Sequence, residues 1–447
     1  MTIHSRPTRL GQVATLAAGA LFLFGACSSG ASPSPSAAPS AAAPSAAASA
    51  APSVAPSAAP SAAPSAAASA PAALGVDSFD SSFSAMAQLQ SITSAGSGLV
   101  GVILPDTTSS ARYVSFDAPY LTKAFQQAGY SASDFKIQNA QGSDATELAM
   151  AEAYISQGAK VIVMDPIDST VGAQIQAKTA AAGVKLISYD RATFAGTDTY
   201  YVSFNNQNVG KLIGQGFMQC VSDWGVSSPK VFELDGGEDT DPNAIDFARG
   251  YNNVIWGTPL TNATTLKAGL TNSQGYTLVG DQIAPGWDNA KGGSIFQQQF
   301  TAHPEINATV EANDGLANAV ITVLKAKGVP PKKIPTTGQD ATLQGMEWIL
   351  QGYQCGSVYK PIYLEAQDAV ALATYLRAGQ TPPASLLNGT TTDPKNPSVS
   401  EPASLLTPIW VTASNMADTV IKDNFVSASQ LCSAVGASVC SANNITP

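Results

Sequence analysis

Six apolar runs in this chain break off into short polar clusters: Leu104-Pro105-Asp106, Met164-Asp165-Pro166, Tyr189-Asp190-Arg191, Leu234-Asp235-Gly236-Gly237-Glu238-Asp239, Ala312-Asn313-Asp314-Gly315 and Gly338-Gln339-Asp340. Carboxylates accept hydrogen bonds, a guanidinium donates them in a rigid fork, and an amide does both. Gathered in one place, such groups can meet every hydroxyl of a small neutral polar molecule. Open parallel α/β sheets bind ligands just beyond the carboxyl ends of their strands. The chemistry these clusters suggest is therefore non-covalent capture of a polar ligand.

Each candidate has a plainer explanation to set beside that one. Asp190-Arg191 could be a surface ion pair, which contributes little; at a strand end, however, both side chains would face a crevice. Asn313 and Asp314 precede a helix, and either could be its N-cap. Asn313 is assigned to ligand, and Asp314 to the cap or to support behind it. Asp340 could cap the helix that follows, but ligand contact is preferred. Glu238 to Asn243 is an acidic turn entering a helix. Its carboxylates and amides would suit Ca²⁺, but Pro242 breaks the alternation of an EF-hand ladder, so a polar lid over a ligand is the better reading. Trp287, on a loop beside these clusters, could stack on the apolar face of a sugar ring or pack in a core. Arg112-Tyr113, after the first strand, suits gating of a crevice; the alternative is plain surface exposure.

No catalytic set emerges. The only histidines are His4 and His303, so a Ser-His-Asp triad would rest on His303 alone. There is no nucleophile elbow, Walker loop or dinucleotide glycine fingerprint. A glycosidase needs two acids aimed at one bond, and no pair stands out. The expectation is a binding protein, not an enzyme, with no cofactor and no metal; a secreted glycoside-processing enzyme is the contrasting reading.

The elements that must position these residues follow from apolar periodicity and glycine punctuation. Strands are expected at 99–104, 135–139, 159–164, 184–189 and 200–203, alternating with helices at 120–128, 144–157 and 171–182. The pattern then restarts, with helices at 209–221, 244–254, 288–301, 315–327 and 342–351 and strands at 230–234, 277–282, 308–311, 334–337 and 357–359. A helix at 362–378, a Pro/Thr/Asn-rich loop, a strand at 409–411 and a helix at 417–424 finish the chain. Strict βα alternation implies a doubly wound parallel sheet in each of two tandem α/β halves, with the last pieces returning to give three crossings between them.

Ahead of these halves, Arg6 and Arg9 precede a short apolar stretch, Val13 to Gly25. It is shorter than the roughly 20 residues of a membrane span and reads as an export signal. Phe24-Gly25-Ala26-Cys27 is similar to a bacterial lipobox, with Phe24 in place of the usual Leu, which makes residues 1–26 a lipoprotein signal and Cys27 the acylated residue. Residues 27–75, nearly all Ala, Ser and Pro, cannot bury enough apolar surface to offset their ordering entropy, so they are expected to be a semi-stiff spacer between lipid anchor and folded domain. Lys and Arg total 22 against 32 Asp and Glu, a net charge of −10 with no basic block, which argues against nucleic acid. Beyond Cys27 there are Cys220, Cys355, Cys432 and Cys440. Four cysteines allow three connectivities; the proximity of Cys432 and Cys440 favours a local loop, leaving Cys220 with Cys355. A zinc site is the alternative, but the spacing fits no common zinc pattern.

Leu104-Pro105, Arg112-Tyr113, Tyr189-Asp190-Arg191, Ser203-Phe204-Asn205-Asn206, Thr240-Asp241-Pro242-Asn243-Ala244, Gly280-Asp281-Gln282, Gly286-Trp287, Asn313-Asp314, Gly338-Gln339-Asp340 and Val358-Tyr359-Lys360-Pro361 occur in this order. Over Gly98 to Asn424 the chain thereby resembles the xylose-binding members of the type I periplasmic sugar-binding proteins of ABC importers. The resemblance implies two Rossmann-like lobes joined by a three-strand hinge: 98–204 with 361–408, and 205–360 with 409–430, followed by a C-terminal tail, 431–447. It implies that Arg112, Asp190, Arg191, Asn243, Trp287, Asn313, Asp340 and Lys360 contact sugar, with Asp241 a weaker candidate. Pro242 stands where xylose binders carry a second Asn, and Tyr113 where they commonly have Trp; both bear on which sugar is bound. Asp106 and Asp165-Pro166 are left as turn or rim residues. The expected partners are a monosaccharide such as D-xylose and an ABC permease, for a monomer tethered outside the cell membrane. A chemosensory or signal-molecule receptor of the same fold is the alternative.

Overall fold

The computed structural model describes residues 74–194, 199–237, 240–258 and 265–447. Cys27, the export signal, most of the spacer and the Glu238-Asp239 pair lie outside the described residues.

The first half runs α1 (Gln90–Ala95), β1 (Leu99–Leu104), α2 (Ala118–Gln127), β2 (Phe135–Asn139), α3 (Asp144–Ser156), β3 (Ala159–Met164), α4 (Ser169–Ala182), β4 (Lys185–Tyr189) and β5 (Thr199–Phe204). The second runs α5 (Asn206–Asp223), β6 (Lys230–Gly236), α6 (Pro242–Trp256), β7 (Thr277–Ala284), α7 (Asn289–Ala302), β8 (Ala308–Glu311), α8 (Asp314–Ala326), α9 (Leu343–Gln351) and β9 (Ser357–Tyr359). Then come α10 (Ile362–Arg377), β10 (Gly389–Thr392), β11 (Ser400–Leu406), β12 (Ile409–Val411), α11 (Ala428–Val435) and α12 (Ala437–Ala442). Local chemistry sets many boundaries. Asp168 caps α4 by accepting from the amides of Thr170 and Val171, and Gly183 ends the helix at φ +68°, a left-handed position that glycine takes without strain.

Seven strands form the first sheet in the order β10-β11-β5-β4-β3-β1-β2, parallel except for β10. The second lobe has β7-β6-β8, all parallel, and a separate antiparallel pair, β12-β9. In the first sheet β1 lies between β2 and β3, and in the second β6 lies between β7 and β8. The strand order therefore reverses beside β1 and β6, and crevices open at the carboxyl ends of such strands. The chain leaves the first sheet after Phe204 (β5), and again after Leu406 (β11), for elements that do not belong to it, and α10 follows β9 after Tyr359.

Three expectations fail. Residues 334–337 form no strand, because side chains take over the pairing. Thr337 Oγ1 accepts from the Glu311 amide (2.9 Å) and the Glu311 carboxylate accepts from the Thr337 amide (2.8 Å). The Pro/Thr/Asn-rich stretch is not wholly loop: β11 pairs in parallel with β5, and β10 covers it on the edge. Pro402 sits in β11 opposite Thr390, and proline composition concealed the strand. The helix expected at 417–424 is a single π-type turn, Ala417–Ile421.

Stretches for which the sequence pattern places no element also pack. Phe79, Phe83, Met86 and Leu89 join a large buried cluster that draws residues from both halves, as do Phe425, Leu431, Cys432, Cys440 and Ile445 near the C-terminus. Cys220 is bonded to Cys355 and Cys432 to Cys440, with Cα separations of 5.8 and 5.7 Å.

Candidate functional site

The carboxyl ends of both sheets face one small polar cavity lined by Ser109, Ser110, Arg112, Tyr113, Asp190, Arg191, Asp241, Asn243, Phe247, Trp287, Asn313, Gln339, Asp340 and Lys360. All nine side chains singled out in the sequence are in that wall. Asp190 and Arg191 follow β4, Asp241 and Asn243 follow β6, Trp287 follows β7, Asn313 follows β8 and Lys360 follows β9.

Arg112 is only 1% exposed and is not a gate. Its Nε and Nη2 donate to the two oxygens of Asp117 (2.9 and 2.8 Å), Nη2 to Glu365 (2.6 Å) and Nη1 to Asp190 (2.6 Å). Of the five N–H groups of a guanidinium, one on Nη1 remains. Arg112 therefore acts chiefly by holding Asp190. Burial opposes ionisation of Asp190, but Arg112, Lys360 and Arg191 outweigh it and hold its carboxyl below the ordinary range. Burial pushes Glu365, behind Arg112, up to about 8. Tyr113 is also buried, beside both guanidinium groups.

Arg191 donates through Nη1 to the Pro166 carbonyl (3.2 Å) and lies 3.3 Å through Nε from Asp241 of the other lobe. Asp165 stands 3.6 Å behind it. Asp165 is fully buried, not a rim residue, and burial raises its pKa well above the usual range despite Arg191. Asp106 is the turn residue expected: it accepts from the Thr108 and Ser109 amides and the Ser109 hydroxyl.

In the second lobe Asp241 has three tasks. It caps α6 through the Asn243 and Ala244 amides, accepts from Trp287 Nε1 (2.8 Å) and faces Arg191. Asn313 both caps α8, through the Leu316 amide, and lines the cavity. Asp314 is buried beneath it, accepting from Thr342, Gln354 and Ser357. The cap of α9 is Thr342, which leaves Asp340 free to face Lys360 (3.2 Å) and Ser110 of the first lobe (2.9 Å). Asp190, Trp287 and Asp340 hold φ values of +59°, +57° and +92°. Side chains other than glycine adopt such angles only where surroundings enforce them, and these positions cluster at functional sites. Trp287 needs the bare backbone of Gly236, where a Cβ would run into the indole.

Sequence reading missed Ser109, Ser110, Phe247 and Gln339 as wall residues, and the supporting Asp117, Glu365 and Tyr201. Gln339 lies in one of the polar strand ends, but no local pattern assigns the others, and Glu365 reaches Arg112 only because α10 returns to the first sheet. Among the described residues no group of His, Cys, Asp or Glu is arranged to hold a metal ion.

The family described as periplasmic binding protein domain matches residues 100–381, well over half of the chain. The chain belongs to the periplasmic binding protein family. Its fold is that of the type I members. The D-xylose-binding periplasmic protein of Escherichia coli is 33% identical over 297 residues, 66% of this chain and 82% of that protein. The multiple sugar-binding periplasmic receptor ChvE of Rhizobium radiobacter is 28% identical over 344 residues, 75% of this chain and 93% of the receptor. The crystal structure of a carbohydrate transporter solute-binding protein from Chloroflexus aurantiacus, in complex with D-glucose, matches at 28% identity with a TM-score of 0.60, covering 74% of this chain and 98% of that one. These relatives within the periplasmic binding protein family are solute-binding proteins, not enzymes.

Proposed function

We propose that this protein captures a monosaccharide between its lobes outside the cell membrane and delivers it to an ABC permease, with D-xylose the first candidate ligand and Cys27 a lipid anchor. The observation that carries this reading is the size and lining of the cavity. Water centres can occupy about 20 Å³ of it, which, widened by a water radius of about 1.4 Å, is a chamber about 6 Å across, the width of one sugar ring. Asp190 and Asp340 accept from hydroxyls, and Arg191, Lys360 and Asn313 donate. Trp287 and Phe247, 6.2 Å apart between ring centres and nearly perpendicular, offer apolar surface to the ring carbons. Closure buries these charges, so each hydroxyl needs a partner or affinity is lost to desolvation. The chamber walls come from both lobes, and rotation of the lobes would open it.

Xylose recognition is supported by the resemblance to the xylose binders, and Pro242 and Tyr113 are where a different sugar preference would originate. Calorimetric titration of the purified protein with D-xylose, D-glucose and other monosaccharides is the test. Binding of at least one is expected. Asp340→Ala should weaken it about 10- to 150-fold, the effect of one charged hydrogen bond of about 1.5–3 kcal/mol. No heat with any pentose or hexose overturns the proposal.

A further inference from the structure

One wall of the chamber contains a ring of hydrogen bonds for which sugar contact gives no reason. The carbonyl of Asp190 accepts from Tyr201 Oη (2.7 Å) and from Asn243 Nδ2 (2.9 Å). Asn206 Nδ2 donates both to Tyr201 Oη (3.0 Å) and to Asn243 Oδ1 (2.8 Å), which closes the ring. All four residues are buried. The ring fixes the peptide of Asp190 in its left-handed conformation, and that conformation aims the carboxylate at the chamber.

The ring joins two bodies. Asp190 follows β4 and Tyr201 lies in β5, both strands of the first sheet. Asn206 opens α5, just past the first crossing, and Asn243 opens α6. Helices α5 and α6 are in backbone contact: a Cβ on Gly210 would run into the Phe247 carbonyl, and one on Gly250 into the Gln207 carbonyl. Asn206 and Asn243 therefore travel together with the second lobe. The bonds from Asn206 to Tyr201 and from Asn243 to Asp190 are the links between bodies, so the ring is complete only when the lobes are together.

We infer that Tyr201, Asn206 and Asn243 form a closure latch: the arriving second lobe completes the ring and ties the Asp190 peptide, whose carboxylate Arg112 already holds from within the first lobe, to α5 and α6 only in the closed state. This rests on the two-lobe capture proposed above. Tyr201 and Asn206 are positioning residues, since neither lines the chamber. Most of the Asn243 amide is committed to the ring, so its main role is to join the lobes rather than to choose a sugar.

The test uses Tyr201→Phe and Asn206→Ala in the full chain. Stopped-flow tryptophan fluorescence with D-xylose should show dissociation about five-fold faster in each variant, the effect of one neutral hydrogen bond, with association unchanged. The loss should be equal for every sugar that binds, because no sugar touches the altered side chain. Spin labels on Glu152→Cys in the first lobe and Glu305→Cys in the second, both about half exposed, should report a smaller closed fraction. Unchanged dissociation and unchanged closed fraction in both variants overturn the latch, as does a loss confined to some sugars. If the wild-type protein binds no sugar, the capture reading fails in the titration, and the latch is judged on the closed fraction alone: a decrease in the variants supports it and equality overturns it.

Discussion

Replacing Arg112 by Leu tests the electrostatic logic of the site most directly. Arg112 is the cation for Asp117, Asp190 and Glu365, with four hydrogen bonds of 2.6–2.9 Å. Removing one partner from such a buried group costs about 3–5 kcal/mol, because carboxylates are left without compensation. At about 2–4 °C per kcal/mol for a lobe of this size, the melting temperature should fall by on the order of 10 °C. The pH dependence carries a sign. In the wild-type protein Asp190 is held below its ordinary range, so it contributes stability above the unfolded value of about 3.9 that is lost as pH falls through the folded value. Without the guanidinium, burial is less opposed and the Asp190 carboxyl rises. At neutral pH it then costs stability, and the cost shrinks on acidification. Scanning calorimetry from pH 5 to 8 on the wild type, Arg112→Leu and Arg112→Lys measures this. Arg112→Lys should fall between the other two, since an ammonium keeps the charge but cannot fork. A loss below about 2 °C in Arg112→Leu, or a deficit that grows on acidification, refutes the reasoning.

Two further outcomes follow from buried groups and close packing. Burial pushes Glu311 up to about 8, whereas an unfolded glutamate ionises near about 4.3; between those values the unfolded state binds fewer protons, so stability declines as pH rises. Thermal melts should therefore be higher at pH 5 than at pH 8, and Glu311→Gln should narrow the difference; a variant profile parallel to the wild type would count against it. Gly236→Ala should displace the Trp287 indole and weaken sugar binding about ten-fold, a loss of about 1.4 kcal/mol measurable by titration; unchanged affinity would show that the indole is not part of the site.

The site residues were legible because strand ends are written locally. An apolar run such as Leu186–Tyr189 stops, and the next residues, Asp190 and Arg191, emerge at the sheet's edge. What each residue does there was less legible. Arg112 looked like a ligand donor or gate, but three carboxylates occupy it, nearby Asp117 and the distant Asp190 and Glu365. Asp165 looked like a rim residue and is fully buried behind Arg191. Asp340 and Asn313 each competed with a capping role, and the structure resolved the two cases differently: Thr342 caps α9, and Asn313 both caps α8 and lines the cavity.

By itself the sequence determined the tandem α/β alternation, most element boundaries and the polar strand ends, because these depend on periodicity, caps and glycine within a few residues of one another. Tertiary structure decided which ends share a cavity, how wide that cavity is, and which charges are consumed in holding others. Those depend on where the chain crosses between lobes. Glu365 reaches Arg112 only because α10 returns to the first sheet, and Asn243 reaches the Asp190 carbonyl only because α6 closes against it. Local pattern encodes direction along an element; contact between residues far apart in the chain is set only when the elements pack.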